Sequence, residues 1–314
     1  MLKTLLPVAS VAFNTVATLP AIIQSISNTI QYITKKKSIP HHNNNIGSPQ
    51  TTDTPIDHNN ASTNDHNKPQ PDWLQYHQQH YIPHSPLQRA LLFIGSSTLA
   101  ALDTYRGDMV ATVAETIQPD TQLTYLYNLM LQSNDGQLLL SNKPRITHNQ
   151  SIWSMNELSK LPHNTFGYQY YQFMSVHGYS ADERTPVRFI SNPDYAYIIQ
   201  RYREIHDLWH IILGFSVSVE HEIAQKYFEY IHTGLLIGCL SSSKLAQLNL
   251  TSIQRHELNT LYIPYLNKLH NNIMNQQINL LCIYYEHYLD HDMDELRKQW
   301  GVTTIDQMRR IERM

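Results

Sequence analysis

From Trp73 onward apolar residues return at intervals of three and four, and this spacing constrains the fold more than any other feature. A period of 3.6 gathers them on one stripe of an α-helix, whereas a half-buried strand would alternate. Residues 87–102 carry apolar side chains at 87, 90, 91, 94, 99 and 102, with Gly95 inside the run. Residues 106–117 continue with Met109, Val110, Val113 and Ala114, and 196–213 and 220–236 are long and amphipathic. Residues 278–289 are strongly apolar and read as another helix; 292–300 read as a closing helix before Gly301. The best strand candidate is the short run 186–190. The expected fold class is mainly α, a single helical domain over residues 73–314.

The first 72 residues have a different composition. No acidic residue precedes Asp53, while Lys3, Lys35, Lys36 and Lys37 are basic. Between the lysines, residues 5–33 are apolar and rich in Ser and Thr, but Pro7, Asn14 and Pro20 interrupt them. A bilayer-crossing helix needs about 20 consecutive apolar residues. Acid-free, hydroxylated and cationic is the composition of an organelle-import segment, expected over 1–37 even though arginine is missing from it. A cleaved secretory signal is the alternative. Residues 38–72 are dominated by His, Asn, Ser, Thr, Asp and Pro, too polar to offset chain entropy by burial, and read as a disordered linker.

Composition excludes several classes. Lys and Arg total 23 against 26 Asp and Glu, a formal charge of −3, which offers no basic footprint for nucleic acid. Two cysteines, Cys239 and Cys282, cannot staple a secreted scaffold.

The chemistry has to be sought among 18 histidines. That abundance alone produces about one His-x-x-x-His pair by chance, so the bare pattern says little. The chain has three: His80/His84, His206/His210 and His287/His291. Pro83 opposes a helix through the first, and the third reads as a solvated helix end. The middle pair differs because Asp207 follows His206 and Glu222 lies twelve positions beyond His210. Histidines four apart sit on one helical face, spaced to share a metal ion. Twelve residues of unbroken helix would put Glu222 about 18 Å from His210. The helix must therefore break between them, and Gly214, Ser216 and Ser218 mark the place. Two histidines and two carboxylates suit zinc, and would also accept iron or manganese. The zinc-protease pattern is absent, since Asp207 stands where its glutamate base would be. Arg184, Arg188, Arg201 and Arg203 cluster just before the pair, either as salt-bridge partners of Asp182, Glu183 and Glu204 or as an anion clamp.

The run from Arg201 through His206-Asp207-Leu208-Trp209-His210, followed after eleven residues by Glu222, resembles the coenzyme Q biosynthesis protein 4 family and its HDxxHx11E motif. Further segments are similar to that family: residues 105–115, Thr165-Phe166-Gly167, 182–189, Thr233-Gly234-Leu235, Tyr284-Tyr285-Glu286 and Leu296-Arg297. Together they span about residues 79–302. Leu236 departs from the pattern, standing where many relatives have proline, and the 38–72 tract is longer than usual. The resemblance implies metal ligation by His206, Asp207, His210 and Glu222, with zinc as the ion. It also implies C1-decarboxylation of a polyprenylated 4-hydroxy-3-methoxybenzoate. Arg203 and Glu204 are candidate catalytic residues, and Arg203 or Arg201 would stabilise ring charge as CO₂ leaves. The implied setting is the matrix face of the mitochondrial inner membrane, in a complex with other coenzyme Q enzymes, with a homodimer as a further expectation. Apolar helices over 87–102 and 278–289 would line a groove for the lipid tail. The alternatives are a non-catalytic prenyl-lipid-binding scaffold with a structural metal, and a helical metallohydrolase with more distant ligands.

Overall fold

A computed structural model describes residues 72–103 and 106–311. Helices make up the fold, and among the described residues the one β-type pairing is an isolated bridge between Thr165 and Asp292. The expected import segment, and the linker up to residue 71, lie outside the described residues. Asp72, the last residue assigned to that linker, already caps the first helix, its carboxylate accepting from Leu74 N–H at 3.1 Å.

In chain order the helices are α1 (Trp73–His80), α2 (Pro86–Leu102), α3 (Gly107–Ile117), α4 (Asp120–Met130), α5 (Asn134–Asn142), α6 (Met155–Leu158), α7 (Phe166–His177), α8 (Pro193–Leu213), α9 (Val219–Thr233), α10 (Leu236–Ser241), α11 (Ser252–Glu257), α12 (Ile263–Asn275), α13 (Met293–Gln299) and α14 (Ile305–Ile311). Helix α8 is the axis of the body. It has 21 residues, most of them buried, because α1, α4 and α7 all pack on it. Its start is written locally: Asn192 accepts from Asp194 N–H and Tyr195 N–H, and Pro193 occupies the first turn. It stops at Gly214, whose φ of 73° is left-handed, and Phe215 N–H returns to the His210 carbonyl at 2.9 Å. Helix α9 then runs back, with α10 and α12 packed against it. The approach of α10 is close: a Cβ at Gly238 would stand 2.7 Å from the Lys226 carbonyl oxygen.

Two expected elements are absent, for one physical reason. Residues 278–289 form no α-helix, only single 3-10 turns at Leu280–Cys282 and Tyr285–His287. Leu280, Leu281, Ile283 and Leu289 are buried, as their apolarity requires, but backbone groups of the segment take tertiary partners. Leu280 N–H donates to His232, Tyr284 N–H to Asp135, and the Leu289 carbonyl accepts from Gly167 N–H. The 186–190 run is likewise no strand. Its Arg188 and Phe189 N–H groups both donate to the Glu115 carboxylate, at 2.7 and 2.6 Å, in place of a ladder. The expected closing helix is present as α13, but α14 follows it.

Leu236, at the first position of α10, uses the N–H that a proline would lack: it donates to Gln118 Oε1 at 3.1 Å. Helix α2 is unusual in its polarity. Leu87, Leu91, Ile94, Leu99 and Leu102 are exposed along one face while Ser96 is buried. Among the described residues, no helix is long and apolar enough to cross a membrane.

Candidate metal centre

Helix α8 carries His206 and His210 one turn apart, and the break after Leu213 brings Glu222 back to both, as the spacing requires. The Nε2 atoms of the two histidines are 3.3 Å apart. Glu222 places Oε1 3.1 Å from His210 Nε2 and Oε2 3.5 Å from His206 Nε2. Donors held at about 2.0–2.1 Å by one tetrahedral ion stand roughly 3.3–3.4 Å from one another. The individual contacts are near that spacing, although they use both oxygens of Glu222; with one ligand atom from each residue the three lie within 4.8 Å of one another, close enough for one ion to draw together.

Electrostatics favour the ionised carboxylate and the protonated ring. Burial opposes ionisation of Glu222, but hydrogen bonds from His206 and His210 hold its carboxyl well below the usual range. Burial and Lys226 both work against charge on His206, yet Glu229 and Glu222 prevail and raise it to about 9. A cation entering the site therefore competes with a proton on that ring.

Glu229 is the residue that sequence reading missed. It is buried on α9, two turns beyond Glu222, and its Oε1 lies 2.6 Å from His206 Nδ1. A carboxylate there accepts a hydrogen bond from Nδ1–H, so in the neutral ring the Nε2 lone pair faces the donor cluster. Lys226 Nζ at 2.8 Å, Gln225 Nε2 at 3.4 Å and the Tyr202 hydroxyl also donate to it. Burial raises the pKa of Glu229, but Lys226 and His206 more than compensate and bring it to about 2. Spacing could have suggested it, since Glu222, Lys226 and Glu229 share one face of α9.

The other expected site residues lie elsewhere. Asp207, one residue on from His206, is turned about 100° around the helix. Its carboxylate pairs with Arg184, so the structure brings three of the four expected ligands together and leaves Asp207 outside the group. Arg203 is held by Glu115 at 2.7 Å and by the Ala111 carbonyl at 2.6 Å. Glu204 is buried, accepting from Arg145 Nε at 2.5 Å, Ile146 N–H at 3.0 Å and Gln200. Arg201 is fully buried in a bidentate pair with Glu286 at 2.7 and 2.8 Å. These arginines are paired, as the plainer expectation had it, but with partners far away in sequence. Arg188 is exposed. His287 and His291 are exposed, as expected of a solvated end, although Glu286 beside them is not.

Fold and site together define an all-helical protein with a donor set of two histidines and one carboxylate, cut into the end of its central helix. The family model for coenzyme Q (ubiquinone) biosynthesis protein Coq4 matches residues 77–306. The mitochondrial ubiquinone biosynthesis protein COQ4 of Coccidioides immitis is 33% identical over 247 residues, covering 79% of this chain and 83% of that protein. The mitochondrial COQ4 homolog of Bombyx mori is 34% identical over 235 residues, covering 74% of this chain and 88% of its own. A Nostoc punctiforme crystal structure, of a protein described as one of ubiquinone biosynthesis, shares the fold. Its TM-score is 0.54 at 19% identity, covering 71% of this chain and 100% of that one. The chain belongs to the Coq4 family.

Proposed function

We propose that this chain acts in ubiquinone biosynthesis as a metal-dependent carboxy-lyase, removing the C1 carboxylate from a 4-hydroxy-3-methoxybenzoate head group that carries a polyprenyl tail. Family membership supports the pathway. The mitochondrial names of the relatives support the organelle; the matrix face of the inner membrane is the location that goes with this reading. The observation that carries the reading is the donor cluster with its open side. His210 is 1% exposed, but Glu222 keeps 37% of its side-chain surface, and no fourth His, Cys, Asp or Glu joins the group among the described residues. Three protein ligands with one position free is the catalytic arrangement; a structural zinc is closed by four.

His206, His210 and Glu222 would hold the ion, with zinc the best match and iron or manganese acceptable to the same donors. A divalent cation held there would supply a Lewis acid toward a substrate carboxylate. The chain's own residues do the rest of what can be assigned. Glu229 keeps the proton of His206 on Nδ1, and Lys226 keeps Glu229 ionised. Phe173 lies against the ring of His210, centroids 5.5 Å apart, and dries that side of the cluster. Arg201 and Arg203 are consumed by Glu286 and Glu115, so neither is assigned to charge on the substrate ring. The exposed apolar face of α2 suits the lipid tail or the surface that bears it; within 278–289, Leu280, Leu281, Ile283 and Leu289 are buried in the core.

The test compares zinc content and CO₂ release from a short-chain prenyl substrate in the full-length protein and in Glu222→Ala. Equimolar zinc and turnover in the parent, both lost in the variant, is the expected result. Turnover that survives without metal would overturn the catalytic reading, and metal retained by the variant would overturn the site. Metal binding with no turnover in either protein would favour the scaffold.

A further inference from the structure

We propose that His221 is the positioning residue for Glu222, locking the turn that delivers this carboxylate to the two histidines; the inference rests on the metal reading above. Glu222 is the donor that does not come from α8. It is the fourth residue of α9, its N–H donating to the Ser218 carbonyl at 2.9 Å, so its place depends on a first helical turn whose earlier backbone donors have no partners within the helix. The helix cap there is long, Ser218 Oγ accepting from His221 N–H at 3.4 Å.

The ring of His221 ties this turn to the segments on either side of it. Its Nδ1 lies 3.0 Å from Ser216 N and 2.7 Å from Ser216 Oγ. A backbone N–H can only donate, so Nδ1 is an acceptor and the ring proton sits on Nε2. Nε2–H then donates to the Tyr262 hydroxyl at 2.9 Å. Phe215 stacks on the ring at 5.1 Å and 27°. One imidazole thus joins the loop leaving α8, the first turn of α9 and the residue that leads into α12.

Tyr262 is placed by a distortion. Leu258–Tyr262 forms a π-helical turn just before α12, where Pro264 has no N–H to return to the Thr260 carbonyl. The widened turn carries Tyr262 to His221. Together with left-handed Gly214, this clamp sets the angle between α8 and the start of α9, and so the 3.1 Å approach of Glu222 to His210.

The test measures zinc affinity by chelator competition, and the melting temperature of the metal-free proteins, for the full-length parent, His221→Ala, His221→Asn and Tyr262→Phe. His221→Ala is expected to weaken zinc about tenfold, the lower end for residues that act on ligands from behind. Asn should restore part of the loss, because its Oδ1 stands where Nδ1 stood; Tyr262→Phe should fall between parent and Ala. The cobalt-substituted His221→Ala protein should also show a changed visible spectrum as the carboxylate leaves. A lower melting temperature with affinity within twofold of the parent would overturn the inference alone. Absence of zinc binding by the parent would overturn the metal reading and this inference with it.

Discussion

Removing Glu286 should unsettle the whole body. Arg201 is 0% exposed and its bidentate partner is 6% exposed, so Glu286→Ala leaves a guanidinium in the core without its counter-ion. Little else can take over. The Ile283 carbonyl is 3.4 Å from Nη2, the Tyr285 ring lies 5.9 Å away, and Nε has no partner. The nearby Glu204 is already held by Arg145. Burial opposes charge on Arg201, and Glu286 is the main group that keeps it protonated. Breaking a buried pair from one side costs about 3–5 kcal/mol. At roughly 2–4 °C per kcal/mol for a body of this size, the melting temperature should fall by about 6–20 °C. Differential scanning calorimetry reads this directly. The double variant Arg201→Met, Glu286→Leu should recover most of the loss, since apolar groups can replace a buried pair at little cost. A single-variant drop below about 2 °C would refute the reasoning, because it would mean that water or another carboxylate reaches Arg201.

Gly214→Ala should destabilise by about 1–2 kcal/mol, because φ is left-handed at 73° and the new methyl would lie 3.1 Å from Thr304 Cγ2; chemical unfolding at fixed zinc checks this, and an unchanged midpoint would refute it. His232 should make folding acid-sensitive. It is lowered from 6.5 to about 3 by burial and by His270, opposed by a hydrogen bond with Asn279 that favours the charged ring. Its Nε2 accepts from Leu280 N–H and its Nδ1 faces His270 Nδ1 at 3.2 Å, so the ring is held neutral. The unfolded chain binds the extra proton, so this contribution is complete above pH 6.5 and is lost as pH falls toward 3. His232→Gln, which keeps an acceptor but cannot titrate, should flatten the slope of stability against pH in that window; equal slopes would refute the assignment.

Much of this was legible because it is local. Gly214, Ser218 and the histidine spacing are short-range signals, and they located both the break after α8 and the return of Glu222. What periodicity could not show was competition for backbone hydrogen bonds. Residues 280–289 are as apolar as a helix would be, but His232, Asp135 and Gly167 claim their N–H and C=O groups. Glu115 does the same to Arg188 and Phe189, which removes the strand. Such partners are distant in sequence, so no window of neighbours contains them.

The charged run on α8 shows how a motif can mislead at its edges. Arg201, Arg203, Glu204 and Asp207 crowd the histidines in sequence and look catalytic. In space each faces outward to a different segment: Glu286, Glu115, Arg145 and Arg184 respectively. A helix buried along most of its surface needs such contacts, because every buried polar group along it must find a partner from whatever packs there. The pairs therefore act as register pins that fix which segments lie against α8 and at what height. His206 belongs to this set through Nδ1, which Glu229 claims from α9, and to the site through Nε2. That one ring joins the two roles: the contact that docks α9 on α8 is also the contact that aims a nitrogen at the donor cluster. The position of Glu222, seven residues before Glu229 on the same helix, then follows from the docking.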